Sequence, residues 1–151
     1  MKKRTEHEYN EQVKFFNFIR FNLQYNKHRE ILHALNLCYS VPNGAAMPKQ
    51  YDKKTKKSYS VVAMKMVKSG MSKGIPDINV DYPVGSYHSL KIEMKWGKNV
   101  LSPFQAEKRG LIEAAGSKYI VCYSAKEAIQ GLVDYLKFPG NCYQGLNEFL
   151  A

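Results

Sequence analysis

Between Glu8 and Leu23 the apolar positions recur every three or four residues. Val13, Phe16, Ile19 and Leu23 form one stripe, and Phe15 and Phe18 widen it. That period predicts an amphipathic helix laid over a sheet. The next apolar run, Ala34-Leu35-Asn36-Leu37-Cys38-Tyr39-Ser40-Val41, is entered through Ile31-Leu32-His33 and reads as a strand, closed by a turn at Pro42-Asn43-Gly44. Gln50 to Lys57 has the polarity of a loop. Val61 to Lys68 fits a short helix or a strand; the helix is preferred, with Gly70 as its stop.

Strict alternation follows. Pro76 biases Ile75 towards extended backbone, so Asp77 opens a strand through Ile78-Asn79-Val80-Asp81-Tyr82. Pro83-Val84-Gly85-Ser86 reverses the chain, and Tyr87 to Lys95 returns with Leu90, Ile92 and Met94 on one face and Lys91, Glu93 and Lys95 on the other. The hairpin thus carries Asp77, Glu93 and Lys95 to one polar edge. Ser102 as N-cap and Pro103 at the first helical position start a second helix, which Gly116 closes. Lys118 to Tyr123 suits an interior strand. Ser124 caps a last helix that presents Ala128, Ile129, Leu132, Val133 and Leu136 to the core, and Asn141 to Ala151 reads as a short aromatic and polar tail. The order helix, strand, helix, hairpin, helix, strand, helix predicts an α/β fold, a mixed central sheet flanked by helices, in a single domain over residues 1–151.

Charge narrows the partners. Lys and Arg number 23 against 13 Asp and Glu, a formal +10, and such a surface attracts polyanions. Nucleic acid is the natural partner, although basicity alone also suits a ribosomal or a peripheral membrane protein. Cys38, Cys122 and Cys142 are odd in number and widely spaced, which points to free thiols in a reducing compartment and so to the cytoplasm. Met1-Lys2-Lys3-Arg4 leads into Thr5-Glu6-His7-Glu8 instead of an apolar run, so a soluble chain with no membrane partner is expected. His7, His28, His33 and His88 show no metal-site spacing.

The polar edge of the hairpin has its own chemistry. Asp77 and Glu93 offer hard oxygen ligands to Mg²⁺ or Mn²⁺, with the main-chain carbonyl of Met94 as a third donor. Lys95 beside them would position the attacking water and stabilise negative charge. Gln105, on the following helix, could bond the water or a phosphate, and Lys108 and Arg109 could contact DNA backbone; an ordinary polar helix flank is the competing account. Lys73, together with Lys49, Lys53, Lys54, Lys56 and Lys57 in the basic loop, would grip phosphates; a solubilising surface loop is the competing account. Pro-Asp or Glu-x-Lys alone is common by chance, and a solvated charged strand face explains either. Their order, their separation and the basic surroundings favour a nuclease.

From Glu11-Gln12 through Gly74-Ile75-Pro76-Asp77 and Leu90-Lys91-Ile92-Glu93-Met94-Lys95 to Ser102-Pro103-Phe104-Gln105 and Gly116-Ser117-Lys118-Tyr119, the chain resembles the VRR-Nuc family. These are virus-type replication-repair nucleases of the PD-(D/E)xK restriction-endonuclease-like superfamily. The resemblance implies a restriction-endonuclease-like core and a role for Glu11 as the N-terminal acidic residue. It implies that Asp77 and Glu93 are the metal carboxylates, Lys95 the catalytic lysine and Gln105 the glutamine of the following helix. Glu6, Glu8 and Glu30 are the other N-terminal carboxylates, and Gln12 singles out Glu11. Val41-Pro42-Asn43-Gly44 resembles the family's turn near the active face. The expected activity is metal-dependent DNA endonuclease cleavage, selective for branched DNA such as four-way (Holliday) junctions. As in small phage-encoded members, the expected assembly is a homodimer acting in the host cytoplasm. The alternatives are a noncatalytic basic nucleic-acid-binding module, a nuclease of flap or single-stranded DNA, and an RNA-processing protein.

Overall fold

The computed structural model describes residues 2–41, 50–55 and 57–151. The expected helix is present as α1, Lys2–Tyr25, but its buried face is centred on Phe15, Phe18 and Ile19, while Val13, Phe16 and Leu23 of the stripe read from the sequence are only half-buried. The strand expected from residue 34 is corrected: Arg29–Asn36 is a second helix, α2, and only Cys38–Ser40 forms β1. Ile31, Ala34 and Leu35 are buried, and their i, i+3, i+4 spacing is that of one helical face. An unbroken apolar run conceals that period.

The basic stretch is also corrected from loop to hairpin, since β2 (Gln50–Asp52) pairs antiparallel with β3 (Lys57–Tyr59). The Pro42-Asn43-Gly44 turn lies outside the described residues. Helix α3, Val61–Lys68, forms as expected; the Ser60 side chain caps it by accepting from the Ala63 N–H, and Gly70 follows at φ +103°. Val61, Val62, Met64 and Val67 are exposed on it.

The central sheet has the order β1-β4-β5-β6. Strands β4 (Ile78–Val80) and β5 (Leu90–Met94) form the expected antiparallel hairpin, shorter at both ends, while β5 and β6 (Lys118–Cys122) are parallel. Parallel neighbours require a crossover, and α4, Pro103–Ala114, supplies it. Helix α5, Ala125–Leu136, packs with α1 against β5 and β6. Gly131 lies where α5 meets β6, and a Cβ on it would push the Cδ1 methyl of Ile120, 2.5 Å away, to another position. The result is the mixed α/β sheet flanked by helices, with a restriction-endonuclease-like core.

The expected C-terminal tail is in fact docked. A 3₁₀ turn at Gly140–Cys142 and helix α6, Leu146–Leu150, return to α1. Asn22 accepts from the Gln144 N–H at 2.9 Å and donates to the Gln144 carbonyl at 3.1 Å, and Asn26 donates to the Cys142 carbonyl at 2.8 Å. Buried amides that exchange hydrogen bonds with backbone fix a segment that has little regular structure of its own. Among the described residues no helix is long and apolar enough to cross a membrane, and the three cysteines are unpaired.

Candidate active site

The antiparallel register that sets Ile78 against Ile92, continued by one residue, puts Asp77 across from Glu93. Residues directly opposite share a face, and like charges there repel. Asp77 is held by the Met94 N–H, which donates to its Oδ2 at 2.8 Å, so the carboxylate stands beside the next residue of the partner strand. Lys91, also on the Glu93 face, is drawn away by Asp81 at 2.8 Å.

Glu93 and Lys95 are 2 % and 5 % exposed, which corrects the expectation of an exposed polar edge. Their cover comes from α4. The Lys95 ammonium donates to Glu93 Oε1 at 3.0 Å and to Gln105 Oε1 at 2.8 Å. The Gln105 side-chain amide donates to the same Glu93 oxygen. Gln105 is oriented by a capping box: its N–H donates to the Ser102 hydroxyl at 3.3 Å, and its Oε1 accepts from the Ser102 N–H at 2.9 Å. A local helix cap thus aims a catalytic candidate. Tyr119, from the parallel neighbour β6, points its hydroxyl at Glu93 Oε2 at 3.4 Å. Nothing in the strand alternation singled out Tyr119; only the β5–β6 register brings it here.

The loop before Asp77 is seated on α4. Gly74 adopts φ +78°, and a Cβ on it would lie 2.5 Å from the Phe104 carbonyl oxygen, one residue before Gln105. Loop, strand and helix therefore meet around one carboxylate pair. Burial first, and the charge of Asp77 second, push the Glu93 carboxyl up to about 7 against the lowering effects of Lys95 and Tyr119. Burial also pushes the Tyr119 hydroxyl up, with the charges of Glu93 and Asp77 adding to it. Two crowded carboxylates in a poorly hydrated place are a setting a cation would relieve.

Other expected residues are placed elsewhere. The Glu11 carboxylate accepts from the Ala125 N–H at 2.7 Å, at the start of α5, and pairs with Lys14 at 2.6 Å. Although partial burial raises its pKa, these two donors hold it below the usual carboxylate range. Lys73 sits over the Phe104 ring at 5.3 Å, and Arg109 lies over Tyr119 at 5.6 Å while pairing with Glu113 at 3.0 Å. Lys108 is half-buried on α4, and Lys53 and Lys54 are exposed at the β2–β3 turn. Lys49, Lys56 and the side chain of Lys57 lie outside the described residues. Sequence reasoning also missed Trp96, directly after Lys95, whose indole stacks on the His7 imidazole at 3.9 Å and 3°.

The fold and this arrangement define a restriction-endonuclease-like protein core. No family model matches the sequence, and no curated protein matches it. Among solved structures the chain is similar to a protein titled "VRR_NUC domain protein", at 21 % identity over 84 % of this chain and 88 % of that one, with a TM-score of 0.60. That likeness shows the fold.

Proposed function

We propose that the protein is a divalent-metal-dependent DNA endonuclease of the VRR-Nuc type. The observation that carries this reading is the opposed pair Asp77 and Glu93, with Lys95 and Gln105 bonded to Glu93. Among the described residues no group of three or more His, Cys, Asp or Glu gathers as a metal cage. Two carboxylates suffice for Mg²⁺ or Mn²⁺, hard ions that retain several waters and take further oxygens from substrate phosphates. Asp77 and Glu93 would hold the ion, with the Met94 carbonyl as the third donor from the chain. When bound, the ion supplies Lewis-acid polarisation of the phosphate and a more acidic water.

The chain's own residues do the rest. Lys95, fixed by Glu93 and Gln105, has a further N–H to aim at the attacking oxygen and to stabilise charge on the phosphorus centre. Gln105 locks the Lys95 rotamer and shares Glu93 with it, so the ammonium meets the substrate already oriented. Tyr119 holds the second oxygen of Glu93. Lys73, Lys108, Arg109, Lys53 and Lys54, with Lys49, Lys56 and Lys57, would neutralise phosphates along the flanking DNA. Glu11 would be the N-terminal acidic residue the resemblance implies, with its carboxylate bonded to the Ala125 N–H and Lys14. Branched DNA, four-way junctions in particular, is the proposed substrate. A homodimer would present two such sites to two equivalent strands.

The test is incubation of the purified protein with matched linear, flap, four-way and single-stranded DNAs in Mg²⁺ or Mn²⁺. Cleavage is expected to vanish in EDTA and to fall by about a hundredfold or more in Lys95→Ala, the scale of losing one preorganised charge-stabilising group. Paired symmetric nicks on the four-way junction support the junction reading. Salt-sensitive binding without products, or equal products from Lys95→Ala, contradicts the enzyme.

A further inference from the structure

At the C-terminal end of β5 two large aromatic residues stand exposed, Trp96 at 41 % and Phe104 at 57 %. Trp96 follows Lys95 in the chain, and Phe104 precedes Gln105, while Lys95 and Gln105 are joined by the 2.8 Å hydrogen bond within the site. Trp96 and Phe104 are thus the chain neighbours of two bonded site residues, Trp96 stacked on His7 of α1 and Phe104 at the first turn of α4. Neither belongs to the hydrophobic core. Each is held in place: the indole by the parallel imidazole of His7, and Phe104 by Lys73 over its ring and by the close seat of Gly74 on its carbonyl.

We infer that Trp96 and Phe104 are stacking platforms for unpaired bases of DNA bound at the candidate centre. The inference rests on the nuclease reading of the same site and supplies its substrate class. A fully paired duplex presents phosphates and base edges, which lysines and amides can satisfy. Only a base that has left its stack offers a flat face to an exposed ring. The ammonium of Lys73 above Phe104 adds positive charge for the attached phosphate, and the formal charge of +10 selects a polyanion over an apolar peptide as the occupant.

Trp96 is the only tryptophan in the chain, so its emission reports on this surface alone. The experiment titrates the intact protein in EDTA with a matched duplex and with the same duplex carrying a run of unpaired nucleotides, reading emission and the anisotropy of labelled DNA. Emission is expected to be quenched by the unpaired DNA and not by the duplex. Trp96→Leu and Phe104→Leu should each weaken binding of the unpaired DNA by about tenfold, and that of the duplex by no more than about twofold. Circular dichroism of both variants verifies that they are folded. Unchanged emission, or equal weakening for the two DNAs, overturns the inference. A parallel cleavage arm in Mn²⁺ separates the two readings. Cutting of DNA by a protein whose tryptophan ignores unpaired bases removes the inference and leaves the nuclease. A quenched tryptophan with no cutting of any DNA removes the nuclease and leaves a surface for unpaired bases.

Discussion

Replacing Glu93 with glutamine keeps the size of the side chain and, like the protonated acid, leaves one acceptor oxygen and one donor group, but removes its titration. In the folded protein burial and the nearby Asp77 carry the Glu93 carboxyl from its ordinary 4.5 up to about 7. The folded state then holds a proton that the unfolded chain has already released, so stability present below pH 4.5 is lost as pH rises through 7. The shift corresponds to about 3 kcal/mol between pH 4 and pH 8, a large share of the ~5–15 kcal/mol that holds a domain folded. Glu11 and Asp81, whose carboxyls are lowered, give the opposite trend at acid pH, and the difference between wild type and Glu93→Gln cancels them. Urea unfolding followed by circular dichroism in EDTA, at a series of pH values, measures that difference. Relative to wild type, Glu93→Gln should gain stability steadily from pH 5 to pH 8. Adding Mg²⁺ at pH 8 should then stabilise wild type more than the variant, which keeps only the Asp77 carboxylate for the ion. A difference independent of pH, or one of opposite slope, refutes the crowded-carboxylate account.

Gly74→Ala should destabilise the protein by about 2 kcal/mol or more, because φ +78° strains an alanine and its Cβ meets the backbone oxygen of Phe104. Gly110→Ala, inside α4 with open space around its Cβ, should have the opposite sign, a gain of about 0.5–1 kcal/mol; urea midpoints of the pair test both. Glu11→Gln should lower stability by about 1 kcal/mol through the weakened cap at Ala125, and an unchanged midpoint contradicts that cap. The Tyr143 hydroxyl is buried and has no hydrogen-bond partner among the described residues. Tyr143→Phe should therefore raise the thermal midpoint, by about 1 kcal/mol in stability terms, and a clear drop would reveal an essential partner.

The parts of the fold that show one clear period were legible in the sequence. Alternation over residues 87–95 located β5, and the Ser102-Pro103 start located α4 to the residue. Where two periods fit the same letters, reading failed: the apolar run from Ala34 satisfies a strand, yet Ile31, Ala34 and Leu35 bury a helical face. The β2–β3 hairpin was hidden because its strands are three residues each and include Asp52 and Lys57, which are poor strand formers. In the site, Asp77 and Glu93 were legible because a hairpin places its own partners. Burial of Lys95 was not, because lysine is ordinarily exposed and its cover arrives with α4 from ten residues downstream. Tyr119 depends on a parallel pairing across a crossover, and its role at Glu93 is invisible to any local pattern. Docking of the C-terminal segment through Asn22 and Asn26 likewise depends on contacts more than a hundred residues apart.

The proposed hydrolysis requires a cation held between the carboxylates of Asp77 and Glu93. A crystal grown in Mn²⁺, with diffraction recorded at the manganese absorption edge, tests this directly. The expected result is an anomalous peak within coordination distance of both carboxylates, lost in Asp77→Asn. Density showing the two carboxylates in their present positions, at saturating Mn²⁺ and with no such peak, would contradict it.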